Sequence, residues 1–249
     1  MAVETTDKHQ QYTFVTKALD TSICVVAPIF FIELAKTTLT GWQFKQTQPN
    51  SQEVDISINY HKMDYCLDSV ILNNAKNYGD LLDALNEFFL LLSYLIASRN
   101  ETLKLIHCAS YHENGANIVL LGKKHSGKSE QTLKKASSGC KIYADDLLFW
   151  NPKDGKFIAL GLPLRLRRTA TSLTKETSIK NKFFKGKNIL YSHKKYFNLA
   201  TLGEYFLLDK LKVLDEKFIT TNVPFYKFQK YLENYLIGSQ HISYKRKIH

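Results

Sequence analysis

Cysteine is scarce in this sequence of 249 residues, and the four present, Cys24, Cys66, Cys108 and Cys140, stand far apart with no C-x-x-C pair. That spacing argues against a zinc module and a disulfide framework and leaves reduced thiols, as expected of a cytoplasmic protein. No signal peptide is expected, because the first 22 residues are polar and include Glu4, Asp7 and Asp20. Long apolar runs are missing too. The strongest, residues 88–92 continuing through 94–97, is about half of what a membrane span needs and reads as a core helix. No internal repeat, low-complexity tract or nucleic-acid motif appears. What remains is a globular chain, 44% hydrophobic, long enough for one large domain or two small ones.

The net charge of +11 is unevenly placed. Residues 1–100 carry 7 basic against 11 acidic side chains, whereas residues 101–249 carry 27 against 12. Residues 165–195 alone hold ten basic residues and one acid, Glu176. A run of this kind is commonly a solvated surface, and it can also hold a triphosphate, an acidic partner or nucleic acid.

The basic half contains the most informative stretch. Ile118 to Leu121 are four consecutive aliphatic residues, as a buried strand requires, and Gly122-Lys123-Lys124-His125-Ser126-Gly127-Lys128-Ser129 follows them, with Glu130 next. This is the G-x-x-x-x-G-K-[ST] phosphate-binding pattern. Glycines let successive N–H groups turn toward one anion, and the helix that begins there adds its positive end. Lys128 reaches the outer phosphates and the Ser129 hydroxyl is suited to Mg²⁺, so the expected ligand is ATP or a similar nucleoside triphosphate with magnesium. His125 is incidental or a phosphate contact.

In chain order, residues 1–22 read as a loose arm. Residues 24–34 read as strand, with Pro28 at an edge or splitting it in two, and residues 41–51 as a loop. Residues 54–60 alternate as a half-buried strand, a short strand follows at 69–72, and Asp80 caps a helix over 81–98. Asn114-Gly115 predicts a hairpin from 103–112 into the strand at 118–121, putting His107 on a strand paired with the one that feeds the loop. After a loop helix ending near Gly139, residues 140–144 form a strand closed by Asp145-Asp146. Carboxylates there suit a magnesium ligand and a catalytic base. A hairpin turns at 151–155, and helices are expected near 202–213 and 224–237.

Ile106-His107, the hairpin, residues 122–130 and Ala144-Asp145-Asp146 together resemble the HPr kinase/phosphorylase catalytic domain, in which a histidine on the strand before the loop, a loop ending Gly-Lys-Ser-Glu, and an Ala-Asp-Asp some sixteen residues later recur. Here Ser129 and Asp145 are sixteen residues apart. Residues 163–167, Pro-Leu-Arg-Leu-Arg, and the N-terminal region are closer to the HPr-kinase-related kinases, a set that includes those tailoring lasso peptides. The resemblance spans about residues 100–170. It implies an α/β (α+β) fold with a mixed-sheet core of the P-loop, HPr-kinase/PEP-carboxykinase kind in residues 101–249. Residues 1–100 would form a β-rich and helical region that recognises a substrate or closes over it, and helices would end the chain. It further implies that Lys128 and the amides of 123–129 hold phosphates and that Asp145 is the base taking a serine proton. His107 would position or polarise Asp145, and Ser129 with Asp146 would hold Mg²⁺ directly or through water. The loop residues Lys123-Lys124-His125 depart from the HPr kinases, and their glycine-rich downstream signature is absent.

Read from residues alone, His107 fits a core position as well as a catalytic one, and Arg165 and Arg167 fit solvated surface as well as phosphate or substrate binding. The first function expected is a kinase acting on a hydroxyl, serine above all, of a peptide or small protein. A small-molecule acceptor and a nucleotide-switched regulatory or nucleic-acid-associated protein are the alternatives. Nucleic acid is disfavoured as a partner and self-association is left open.

Overall fold

The computed structural model describes residues 11–48, 53–124, 126–167, 181–215 and 220–237. They form a mixed α/β structure of several sheets and four α-helices, which fall into two units divided between Arg99 and Asn100, with residues 38–41 belonging to the second.

The first unit is built on two-residue hairpins. Strands β1 (Gln11–Ala18) and β2 (Thr21–Pro28) are joined by Leu19 and Asp20, both at positive φ. That geometry lets an antiparallel pair with right-handed twist close in two residues. Helix α1 (Ile29–Thr38) follows Pro28, then β3 (Phe44–Thr47), β4 (Ile56–His61), β5 (Asp64–Ser69), β6 (Lys76–Tyr78) and α2 (Leu81–Ser98). Lys62 and Met63, also at positive φ, close the β4–β5 hairpin. The sheet order is β3-β1-β2-β4-β5-β6, with β2 and β4 parallel and the rest antiparallel. Asp80 caps α2 by accepting from the amides of Leu82 and Asp83 at 2.9 and 3.2 Å. Among the described residues α2 is the one helix long and apolar enough to cross a membrane, and 56% of it is buried inside the protein. Phe88 on it meets Phe31 of α1 edge-on at 5.5 Å.

The second unit runs β7 (Lys104–His107), β8 (Ala109–Glu113), β9 (Ala116–Gly122), α3 (Lys128–Ser137), β10 (Lys141–Ala144), β11 (Leu147–Asn151), β12 (Lys156–Ile158), β13 (Arg165–Arg167), β14 (Phe183–Lys185), β15 (Ile189–Ser192), β16 (Tyr205–Leu207), β17 (Lys210–Leu214), β18 (Thr220–Val223) and α4 (Phe228–Glu233). Its sheets are ordered β10-β8-β9-β17-β18, β16-β12-β11-β7 and β13-β15-β14. Strand β9 is buried on both faces: Ile118 and Leu120 join one apolar cluster with Leu133 and Ala136 of α3, while Val119 and Leu121 join another with Ile106, Leu148 and Phe206. An unbroken aliphatic run is what a two-faced strand requires.

Several expectations are corrected. Residues 11–18 are a strand, not an arm; residues 1–10 lie outside the described part. Pro28 ends β2, and the β-rich residues after it form α1, burying Phe31, Ile32 and Ala35 at helical spacing. The loop expected at 41–51 contains β3, although 49–52 are outside the described residues. The strand placed at 69–72 lies earlier, as β5. Residues 205–207 and 210–214 are strands, because β17 pairs in parallel with β9, a distant partner that local helical periodicity does not reveal. Only α4 and a 3-10 turn at Phe225–Lys227 stand in the expected helix 224–237. β7 pairs with β11 rather than with the strand before the loop. His107 therefore sits in a different sheet from β9.

Candidate active site

β9 runs into the loop and the loop into α3, in the order the motif requires. Gly122 has no room for a side chain: a Cβ there would lie 2.5 Å from Ser126 Oγ and 2.9 Å from the Leu214 carbonyl oxygen. Gly127 precedes the helix at φ +91°, a left-handed value that costs glycine little. No side chain caps the first turn of α3, so its N-terminal amides make no capping bond to a side chain of their own helix. Lys128 is buried and its ammonium donates to the carbonyls of Gly122 at 2.6 Å and Lys123 at 3.1 Å. Burial pushes its pKa down, and the nearby Asp146, Cys108 and Asp145 oppose that shift without cancelling it. Ser126 Oγ is buried and has no hydrogen-bond partner among the described residues.

The carboxylates come from the junction between β10 and β11. Asp145 is only 6% exposed; its Oδ2 accepts from the Arg165 backbone N–H at 2.8 Å, while Oδ1 has no hydrogen-bond partner among the described residues. Burial raises its pKa to about 6, against the lowering effects of the Arg165 amide and the Ser129 hydroxyl beside it. Asp146 behaves oppositely. Burial would raise its pKa, but His107, the Arg165 guanidinium and Lys128 outweigh burial and hold it below the usual carboxylate value. Its Oδ1 lies 3.1 Å from His107 Nε2 and 3.0 Å from Arg165 Nη2.

Two adjacent chain segments deliver that histidine. The Cys108 N–H donates to the Asp146 carbonyl at 3.1 Å, locking the end of β7 beside the acidic pair. The His107 N–H donates to the Tyr235 carbonyl at 3.0 Å. His107 is half-exposed, not a core residue, and its partner is Asp146 rather than the expected Asp145. Beneath it the fully buried Cys108 thiol is pushed well above its ordinary pKa by burial and is inert.

These groups line one cavity of about 210 Å³. Its walls bring together His107, Lys124, Ser126, Gly127, Lys128, Ser129, Glu130, Asp145, Asp146, Arg165 and Arg167, all expected from the sequence, and add Leu166. Gly122 and Lys123 stand behind the wall, where their carbonyls hold Lys128. His125 lies outside the described residues. Leu166 belongs to the Arg-Leu-Arg stretch already singled out; nothing but its place between two arginines marks it. Among the described residues no three His, Cys, Asp or Glu side chains converge as a metal cage. Such a cage is not what Mg²⁺ uses beside phosphates, where one or two protein oxygens suffice.

The arrangement offers a helix start without a side-chain cap and a buried lysine on one side. On the other stand two adjacent carboxylates with opposite proton affinities. No protein-family model matches the chain, and no curated protein is significantly similar to it.

Proposed function

We propose that the chain is a cytoplasmic ATP- and Mg²⁺-dependent kinase with an HPr-kinase-like P-loop core, transferring the γ-phosphoryl group to a hydroxyl, chiefly serine, of a peptide or small protein. The observation that carries this reading is the convergence of Lys128, Ser129, Asp145, Asp146, His107 and Arg165, from three elements and one strand junction, on one cavity at the end of β9.

The residues present fit a metal–triphosphate. Ser126 Oγ and Asp145 Oδ1 are buried polar atoms with no protein partner among the described residues, and Gly122 leaves the space a curled phosphate loop needs. Ser129 and Asp146 would hold Mg²⁺, which when bound neutralises charge on the phosphate oxygens. The loop amides and Lys128 bind the triphosphate; Lys128, now hydrogen-bonded to two carbonyls, has the reach and charge to turn to an anion. Asp145 takes the proton from the acceptor hydroxyl as its oxygen bonds to phosphorus and the bond to the departing ADP breaks. A base with pKa about 6 is largely ionised at neutral pH yet still binds a proton, which suits that role. The lowered pKa of Asp146 keeps it anionic, as a cation ligand must be.

The test is phosphoryl transfer from ATP to candidate peptides by wild type and by Asp145→Asn. Transfer by the first and not the second supports the reading; an Asp145→Asn protein as fast as wild type removes Asp145 as the base.

A further inference from the structure

An arginine at the rim of a triphosphate pocket is ordinarily assigned to phosphate. Arg165 is engaged otherwise. Its backbone N–H donates to Asp145 Oδ2 at 2.8 Å, and its guanidinium lies 3.0 Å from Asp146 Oδ1, the same oxygen that faces His107 Nε2 at 3.1 Å. One residue thus touches both members of the acidic pair, through its main chain on one and its side chain on the other. Its own position is fixed, because β13 is held to β15 by the Ser192 N–H donating to the Leu164 carbonyl and the Leu164 N–H donating to Ser192 Oγ, both at 3.0 Å. Ser192 is wholly buried.

We infer that Arg165 is a positioning residue for the carboxylate pair and not a phosphate ligand. This deepens, and rests on, the kinase reading. The two-sided grip explains why each carboxylate presents a different oxygen. Asp145 is turned so that Oδ1 remains available for an acceptor proton, and Asp146 is pinned between an imidazole and a guanidinium. A phosphate that drew the guanidinium away would leave a largely buried carboxylate short of one of its charged neighbours. The grip combines a main-chain N–H on one carboxylate with a guanidinium nitrogen on the other, a pairing that a lysine ammonium at the end of a different stem does not reproduce.

The experiment compares Arg165→Lys and Arg165→Ala with wild type in three measurements: ATP affinity by calorimetry, phosphoryl transfer, and the side-chain ¹⁵N resonances of His107. The inference expects ATP Kd within about threefold of wild type in both variants, transfer reduced at least tenfold in Arg165→Lys and further in Arg165→Ala, and displaced His107 resonances in each. Added methylguanidinium should restore part of the Arg165→Ala rate. If Arg165→Ala does not fold, Arg165→Lys carries the test. A tenfold or greater rise in ATP Kd, or unmoved His107 resonances, overturns the inference. A wild type that transfers no phosphoryl group removes the kinase reading, while Kd and the His107 resonances still decide whether Arg165 holds Asp146.

Discussion

At Asp145 stability pulls against the role proposed for it as a base. Its folded pKa of about 6 exceeds the value of 3.8 for a free aspartate, so the folded protein binds this proton more tightly than the unfolded chain does. The stabilising contribution is therefore present in full below pH 4 and is lost as pH rises through 6, at a cost of about 3 kcal/mol by neutrality. Asp145→Asn, which keeps the acceptor for the Arg165 amide, should raise the melting temperature at pH 8, raise it about half as much at pH 5, and leave it nearly unchanged below pH 4. The same variant should lower transfer about a thousandfold while leaving ATP Kd within about threefold, as expected for loss of a base but not of a binding group. Wild-type transfer should fall below pH 6 as Asp145 takes up its proton. On the phosphate side, Lys128→Ala should weaken ATP binding at least tenfold, read by calorimetry.

Elements, not single residues, bring these groups together, and two glycines mark where they touch. A Cβ on Gly161 would stand 2.1 Å from the Thr40 carbonyl oxygen, and the residue sits at φ +64°. Gly161→Ala should destabilise by more than about 2 kcal/mol, seen as a lowered denaturant midpoint, because backbone on both sides must shift. Gly122→Ala should cost ATP binding as well as stability, since its Cβ meets Ser126 inside the loop. Sequence legibility differed by element for physical reasons. The capped helix at 81–98, the Asn114-Gly115 hairpin and the loop helix could be read because local signals fix them: a cap, two positive-φ residues, a glycine after the last turn. β17 could not, because its identity comes from pairing with β9 about ninety residues away in the chain. The site residues were legible as types at fixed spacing, while the pairing of His107 with Asp146 rather than Asp145 depends on β7 joining β11, a tertiary choice. Leu166 carried no signal of its own.

The whole chain lacks covalent cross-links among its described residues. Cys24 and Cys108 are buried and Cys66 and Cys140 partly so, all as free thiols. Thiol titration of the native protein should leave Cys24 and Cys108 unreacted, denaturant should expose all four, and reductant should leave the melting temperature unchanged. The first unit, with its own sheet and buried α2, holds none of the site residues, which all fall in the second. Of the basic residues in 101–249, Lys124, Lys128, Arg165 and Arg167 line the cavity.

The central claim is tested most directly by incubating the purified protein with γ-labelled ATP and Mg²⁺ together with peptides and small proteins encoded beside its gene, with Asp145→Asn as control. Wild type should place label on a serine of one of these substrates and the variant should place none. Equal labelling by both proteins would contradict the assignment of Asp145, and failure of wild type to bind ATP at all would contradict the account from the loop onward.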